Sequence, residues 1–372
     1  MNSVRRILSL FVLFLMLGGM CSTADGQVKP QYKADGIEIP GASPEEPRIQ
    51  WSKTQGLKHL EQSALAWGKG RQCVSCHTNG TYLLIRPTLS ETLGPPDEEI
   101  RDFFVRQLKL IESLDPQQVK TQGTRAAQVV YIAAGLAQWD RYVAKALSEE
   151  TERAMDLMFA LQNETGSWHN LDCWPPFESH AYSLAQTASL AVASAPEWLR
   201  RRENDAQMQA RVEKLKKYLR DADLPHDYAR VLKLWSSLHM EGILNSEQSQ
   251  ASTDHILSLQ QDDGGWSLRS FAKPEEWGGG NRAAKLRGED DFDHPASDGH
   301  MTGLALLVLL ESGMDRDDPR LQRGIEWLKK NQRQSGRWWT RSLNTNQSHF
   351  ITFSGSAYAL AVLDRVDSEN GQ

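Results

Sequence analysis

Two kinds of helical segment alternate along this chain. Charged amphipathic stretches, such as Val212-Glu213-Lys214-Leu215-Lys216-Lys217 and Ile325-Glu326-Trp327-Leu328-Lys329-Lys330, precede stretches that are small and apolar nearly all round. Ala181-Tyr182-Ser183-Leu184-Ala185, Leu304-Ala305-Leu306-Leu307-Val308 and Ala357-Tyr358-Ala359-Leu360-Ala361 are of the second kind. A helix that is apolar on every face is buried, and a charged amphipathic one covers it from outside. Apolar residues at i, i+3, i+4 and i+7 predict six such pairs. They are 56–67 with 81–93, 97–114 with 124–139, 149–162 with 180–195, 206–220 with 226–240, 246–260 with 297–312, and 319–331 with 353–366. Six inner helices within six outer ones predict an all-α fold, an α/α toroid of six helical hairpins. An open solenoid would need more polar capping repeats than these. A length of 372 residues would ordinarily suggest two domains, but repeat architectures escape that expectation, and residues 51–372 are read as one.

Three of the hairpin loops share one pattern, Q-x-x-x-G-x-W. Its members are Gln162, Gly166 and Trp168; Gln260, Gly264 and Trp266; and Gln332, Gly336 and Trp338. Each follows an outer segment and precedes an inner one. The fourth loop, Asp221-Ala222-Asp223-Leu224-Pro225, lacks it. Glycine ends the outer helix in a conformation that other residues resist, glutamine can bond backbone exposed at a helix end, and tryptophan offers a large flat face to the next hairpin. Nothing in the motif activates a substrate, so its role is read as structural. Twelve tryptophans in the chain fit this recurring use.

The pattern resembles the repeat of squalene–hopene cyclases and their terpenoid-cyclase and prenyltransferase-like relatives, from roughly Thr54 onward. The resemblance implies the toroid and not the reaction. Those cyclases protonate an alkene with a D-x-D-D acid motif on an inner helix. The acids nearest to that pattern here, Glu289-Asp290-Asp291-Phe292-Asp293 and Asp298, lack its order. The prenyltransferase relatives hold zinc with Asp, Cys and His. Asp172, Cys173 and His349 are of the right types, but their spacing differs.

The first hairpin loop carries a different motif, Cys73-Val74-Ser75-Cys76-His77, with Gln72 before it. C-x-x-C-H is the pattern of c-type haem attachment: two thiols bond the porphyrin and the adjacent imidazole takes the iron. Cys73 and Cys76 would bind haem c, with His77 as proximal ligand. Zinc at Cys73, Cys76 and His77, completed by Cys173, is an alternative, as is a redox dithiol. Neither a second C-x-x-C nor a βαβ pattern accompanies the motif. Secreted bacterial cyclase-repeat proteins with C-x-x-C-H in the first loop are similar, and that likeness implies no particular reaction. His77, His180, His226, His294, His300 and His349 all fall at the end of the hairpins where inner helices begin. His180, His226, His300 or Met301 is the expected distal ligand, with His180 and His300 first because both open inner helices. As a solvated or capping group, each also has a simpler explanation.

The N-terminus reads as an export signal over residues 1–24. Arg5 and Arg6 precede an apolar run from Ile7 to Met20, too short to span a bilayer comfortably, and Ser22-Thr23-Ala24 suits cleavage. A periplasmic or secreted protein with no transmembrane segment after cleavage follows. Cys21 offers a lipid-anchor alternative, weakened by Gly18-Gly19-Met20 before it. Residues 25–50, with Pro30, Pro40, Pro44 and Pro47, are expected as a tether or an extended strap. The loop from Trp266 to Ala296 could lid the cavity or form a solvated insertion. A net charge of −6 with mixed signs argues against nucleic-acid binding. The expected function is an exported haem-c protein that transfers electrons with a redox partner protein, or does redox chemistry at a haem over the toroid mouth. A non-catalytic scaffold holding a lipid, a polymer or a small apolar ligand in the toroid cavity is the alternative. A terpenoid-type cyclase is a third reading, disfavoured by the missing acid motif.

Overall fold

The computed structural model describes residues 31–369. The sequence-predicted signal segment and Cys21 lie outside the described residues. Six helical hairpins follow one another. Outer α1 (Lys53–Arg71) leads to inner α2 (Thr81–Ile85), outer α3 (Glu98–Glu112) to inner α4 (Arg125–Trp139), and outer α5 (Glu149–Ala160) to inner α6 (Ala181–Ser194). Outer α7 (Ala206–Asp221) precedes inner α8 (Asp227–His239), outer α9 (Ser246–Ser258) precedes inner α10 (Gly299–Glu311), and outer α11 (Pro319–Asn331) precedes inner α12 (Ile351–Glu369). Inner helices pack on one another in order, α2 on α4, α4 on α6, α6 on α8, α8 on α10 and α10 on α12. The last returns to α2, so the ring is closed. This is an all-α, α/α toroid.

Local sequence explains where the helices start. Asp97 accepts the Glu99 amide at 2.8 Å, with Glu98 and Glu99 placed in the first turn where the helix dipole favours acids. Asn245 and Gln248 form a reciprocal capping box on α9. Burial sorts the helices as the patterning implies: from Gly299 to Leu310 every residue of α10 is buried, while α7 buries only Val212, Leu215 and Leu219. Inner helix α2 is the exception in regularity. Pro87 removes a backbone donor, and the chain continues through a 3-10 turn, Arg86–Leu89, and one further helical turn, Ser90–Leu93. Buried Arg86 then holds the Gly94-Pro95-Pro96 break by donating to the carbonyls of Leu93, Gly94 and Pro95.

The three Q-x-x-x-G-x-W loops repeat one geometry. Each glutamine Nε2 bonds the carbonyl of its own loop glycine, Gly166, Gly264 or Gly336, at 2.8–3.1 Å. The same atom reaches the next outer helix: Gln162 to the Arg211 carbonyl, Gln260 to Arg320, and Gln332 to Ser52 before α1. Each buried tryptophan donates its indole N–H to the carbonyl ten residues earlier, Met158, Ile256 or Leu328. The loop glycines have φ of +97°, +90° and +91° and lie against backbone of the following outer helix. A Cβ on Gly336 would meet the Gln55 carbonyl oxygen at 2.1 Å. Thus Gln332 joins the last hairpin to the first.

Residues 31–50 reinforce that seam as a strap and do not hang free as a linker. The hairpin β1 (Tyr32–Ala34) and β2 (Ile37–Ile39) packs on α1. Beyond it, Glu46 bonds Arg337 and the Ser335 amide, and Arg337 also donates to the carbonyls of Pro40 and Gly41. Ile49 donates to the Gln332 carbonyl, and the Gln334 amide to that of Pro47.

Candidate functional site

The loop after α1 is built around one side chain. Buried Asn79 accepts the Ser75 amide at 2.8 Å through Oδ1 and donates from Nδ2 to the Cys73 carbonyl at 3.2 Å. Gly80 donates to the Ser75 carbonyl, so close that a Cβ there would sit 2.4 Å from its oxygen. The chain closes into a π turn, Cys76–Gly80, leading into α2. Cys73 and Cys76 are unpaired thiols, each partly exposed. His77 stacks on Phe350 at 5.4 Å and meets the edge of Trp67 at 4.8 Å. Its Nδ1 pairs with the Thr78 hydroxyl at 2.6 Å, and burial lowers its pKa to about 4. Cys73 opens on a cleft of about 530 Å³ whose wall includes Leu110, Leu114 and Val119.

Side chains of the inner helices meet in a buried cluster. His300 is 0% exposed on α10; its Nε2 pairs with the Tyr228 hydroxyl at 3.1 Å and its Nδ1 with Ser354 at 3.0 Å. Tyr358 and Phe177 pack against the same imidazole. Burial pushes its pKa to about 3. Met301 is wholly buried in the same core. Both ring nitrogens of His300 are thus engaged within the protein, and Met301 is 0% exposed.

His180 and His226 behave as helix caps. His180 Nδ1 accepts the Tyr182 amide, and His226 Nδ1 accepts the Ala229 amide, each at 3.1 Å. They lie near enough that His180 depresses the proton affinity of His226, whose pKa falls to about 4 chiefly through burial. His226 Nε2 is buried without a partner, and its ring lies 4.7 Å from Trp277. The ring contacts of His77 run to Trp67, Phe350 and Thr78. His349 accepts the Ser342 amide and packs on Trp339, in a separate cleft. Among the described residues no group of three or more His, Cys, Asp or Glu side chains is placed to hold a metal ion. That leaves the zinc sets, Cys73, Cys76, His77 and Cys173, or Asp172, Cys173 and His349, unassembled.

The long fifth loop is a packed lid, not a solvated insertion. Short helical turns, Leu268–Phe271 and Ala283–Arg287 among them, bury Leu268, Phe271 and Leu286, and Trp277, 1% exposed, sits on His226 and Tyr228. Glu289 ties the loop down: Arg269, Lys285 and Arg341 all pair with it. Asp298 is not free to act as an acid. Its carboxylate accepts the amides of Leu268 and Met301 and the Thr340 hydroxyl.

Sequence reasoning missed Glu178. It is 5% exposed in the loop before α6, its Oε2 has no partner, and burial raises its pKa to about 7. Its charge would further raise the Cys76 thiol, whose pKa is already pushed up by burial, so the two face one interior. An acid two residues before an inner-helix cap was the available signal, and ordinary loop solvation explains such a residue equally well.

The family model of the squalene-hopene cyclase C-terminal domain matches residues 198–347, fewer than half of the chain. The matched region holds the second and third Q-x-x-x-G-x-W loops. A comparison with curated proteins found no match. Among solved structures, the type II terpene cyclase MstE from Scytonema, in its apo form, aligns at 13% identity and a TM-score of 0.45. It covers 84% of this chain and 99% of that one. A variant of MstE with the product merosterolic acid A aligns at 12% identity and 0.44, covering 85% and 98%. Another, with the substrate geranylgeranyl dihydroxybenzoate, aligns at 12% and 0.44, covering 85% and 99%.

Proposed function

We propose that the protein carries a covalently attached haem c on Cys73 and Cys76, with His77 as its axial ligand, and works in electron transfer or haem-based redox chemistry. The observation that carries this is the replacement of a repeat loop by a C-x-x-C-H turn with both thiols unpaired. The donor set suits the group. Thr78 engages Nδ1 of His77; with the ring proton on Nδ1, Nε2 would offer its lone pair to a metal. Burial keeps that imidazole neutral at physiological pH, as a ligand must be. Asn79 fixes the turn that presents both thiols. Bound haem would supply one-electron chemistry at iron. Trp67 and Phe350 restrain the His77 ring and limit water on that side. On this reading the partner is a redox protein and the compartment is the exported one.

The test is a pyridine haemochrome spectrum of full-length protein made alongside c-type attachment machinery. A haem band that survives denaturation, and is lost in Cys73→Ser/Cys76→Ser, is expected. Wild-type protein without covalent haem would overturn the reading. His77→Ala should keep the covalent haem but change its axial spectrum.

A further inference from the structure

A second site lies away from the thiol loop, between the strap and the last two hairpins. A cleft of about 470 Å³ has Arg48, Arg269, Arg333, Arg341, Trp327 and Trp339 in its wall. It shares Arg48, Asp263, Trp327 and Asn331 with a second cleft of about 520 Å³ that continues outward along α11. The two form one elongated groove.

Most charges in this groove are already spoken for. Arg269 pairs with Glu289, and Arg341 with Glu289 and Asp291. Asp263 accepts the Trp327 indole N–H at 2.9 Å and the Ser297 hydroxyl at 2.6 Å, and Asp298 is consumed by capping. Glu46 is bound to Arg337. Two guanidinium groups remain. Arg333 is 7% exposed; it donates from Nη1 to the Glu46 carbonyl, and its Nε is buried with no partner. Arg48, on the strap, makes no ion pair among the described residues and faces Arg333 across an isolated antiparallel β-bridge; after burial, Arg48 and Arg337 lower the proton affinity of Arg333, while Glu46 and Glu45 raise it. Glu46 and Glu45 offset part of the cost of burying Arg333 next to a like charge, but its Nε stays unpartnered, and a further anion between the two guanidinium groups would complete the pairing. Planar guanidinium groups suit carboxylate or sulfate. The rest of the wall, indole faces with Asn331, Asn346 and Ser297, suits a hydroxylated ring, and the groove is longer than one ring.

We infer that this groove binds an acidic oligosaccharide, with a carboxylate or sulfate of one sugar held between Arg48 and Arg333 and the sugar rings lying along Trp327 and Trp339. The site is independent of the haem reading.

Calorimetric titration of the full chain tests it, using an oligouronide, a neutral oligosaccharide of equal length and inorganic sulfate. The oligouronide should bind, weaken with rising salt, and outbind both controls. Arg48→Gln is exposed and safe for folding; it should weaken oligouronide binding about tenfold or more, the loss expected when one charge-assisted hydrogen-bonded pair goes. Trp339→Ala should weaken it as well, while leaving sulfate binding unchanged. Oligouronide binding that is absent, matched by the neutral sugar or by sulfate, or indifferent to Arg48→Gln would overturn the inference.

Discussion

Replacing Gln332 by alanine should open the ring at its seam. Its side chain makes three hydrogen bonds: Nε2 to the carbonyls of Ser52 and Gly336 at 3.0 and 3.1 Å, and Oε1 from the Ser52 amide at 2.7 Å. Gln332 and Gly336 are buried, so the Gly336 carbonyl would be left without water or partner, costing about 1–3 kcal/mol. Ser52 is partly exposed, and water can replace its two lost bonds at a smaller cost, roughly 0.5–1 kcal/mol each. With the side-chain packing that is lost, the total is about 3–5 kcal/mol. Gln260 provides the control: it also makes three side-chain bonds, to the Gly264 and Arg320 carbonyls at 2.8 and 2.7 Å and from the Arg323 guanidinium at 2.8 Å, but it is partly exposed, so water can replace them. Gln260→Ala should cost about 1–3 kcal/mol. Urea unfolding measures the difference, and amide exchange locates it, with faster exchange over α1 and the start of α12. Equal destabilisation by the two changes, or exchange raised evenly around the ring, would refute the claim that Gln332 fastens the closure.

Acidification should destabilise the protein below neutral pH. His226, His300 and His349 are buried, with pKa values pushed down to about 4, 3 and 4, so between about pH 6.5 and 4 the unfolded chain binds protons that the folded one does not. Stability falls with falling pH there, by up to about 1.4 kcal/mol per unit for each group. Glu178 acts oppositely: raised to about 7, it favours the fold at lower pH and costs stability as pH climbs from about 4.5 through 7. Three histidines outweigh one acid, so urea midpoints should drop from pH 7 to 5. Glu178→Gln should raise stability at pH 8 relative to wild type; no gain there would place its carboxyl in water. Trp277→Ala should cost about 3–5 kcal/mol and raise the His226 pKa from about 4 toward its ordinary value, readable by NMR titration of the ring protons.

The architecture was legible because it rests on periodicity. Whole apolar helices such as 304–308 have no option but an interior, and the repeat loops spell out their own geometry. Helix limits differ by a few residues, since caps such as Asp298 and His226 sit outside the helices they begin. The site was far less legible. His180, His226 and His300 share a sequence position at inner-helix starts, but two residues of phase separate a cap from a core side chain. His226 caps α8 as the residue before it, whereas on α10 Asp298 is the cap and His300, two residues later, turns into the buried cluster. Nor does sequence show that strap residues Glu46 and Arg48 meet the last hairpin, because contacts nearly 300 residues apart carry no local pattern.

The first loop can differ because its hairpin is held by other means. Gln72, in the place of the repeat glutamine, reaches only the Lys69 carbonyl in its own helix. Helix α1 is instead fixed by Gln332, the strap, and the packing of Gly68 against Phe103 of α3. The loop is thereby released from joining repeats, and Asn79 shapes it together with the Gly80-to-Ser75 backbone bond. Asn79→Ala removes the acceptor for the Ser75 amide and the donor to the Cys73 carbonyl, a loss of about 1–3 kcal/mol confined to the turn. Opening of the turn should then expose Cys76 further, so thiol labelling of the haem-free protein should quicken at Cys76 by about tenfold, with little change at Cys173, which belongs to a different loop. Global melting should shift by less than for Gln332→Ala. Equal acceleration at Cys76 and Cys173 would mean that Asn79 supports the whole ring, and that the loop is not the independent unit its sequence and hydrogen bonds describe.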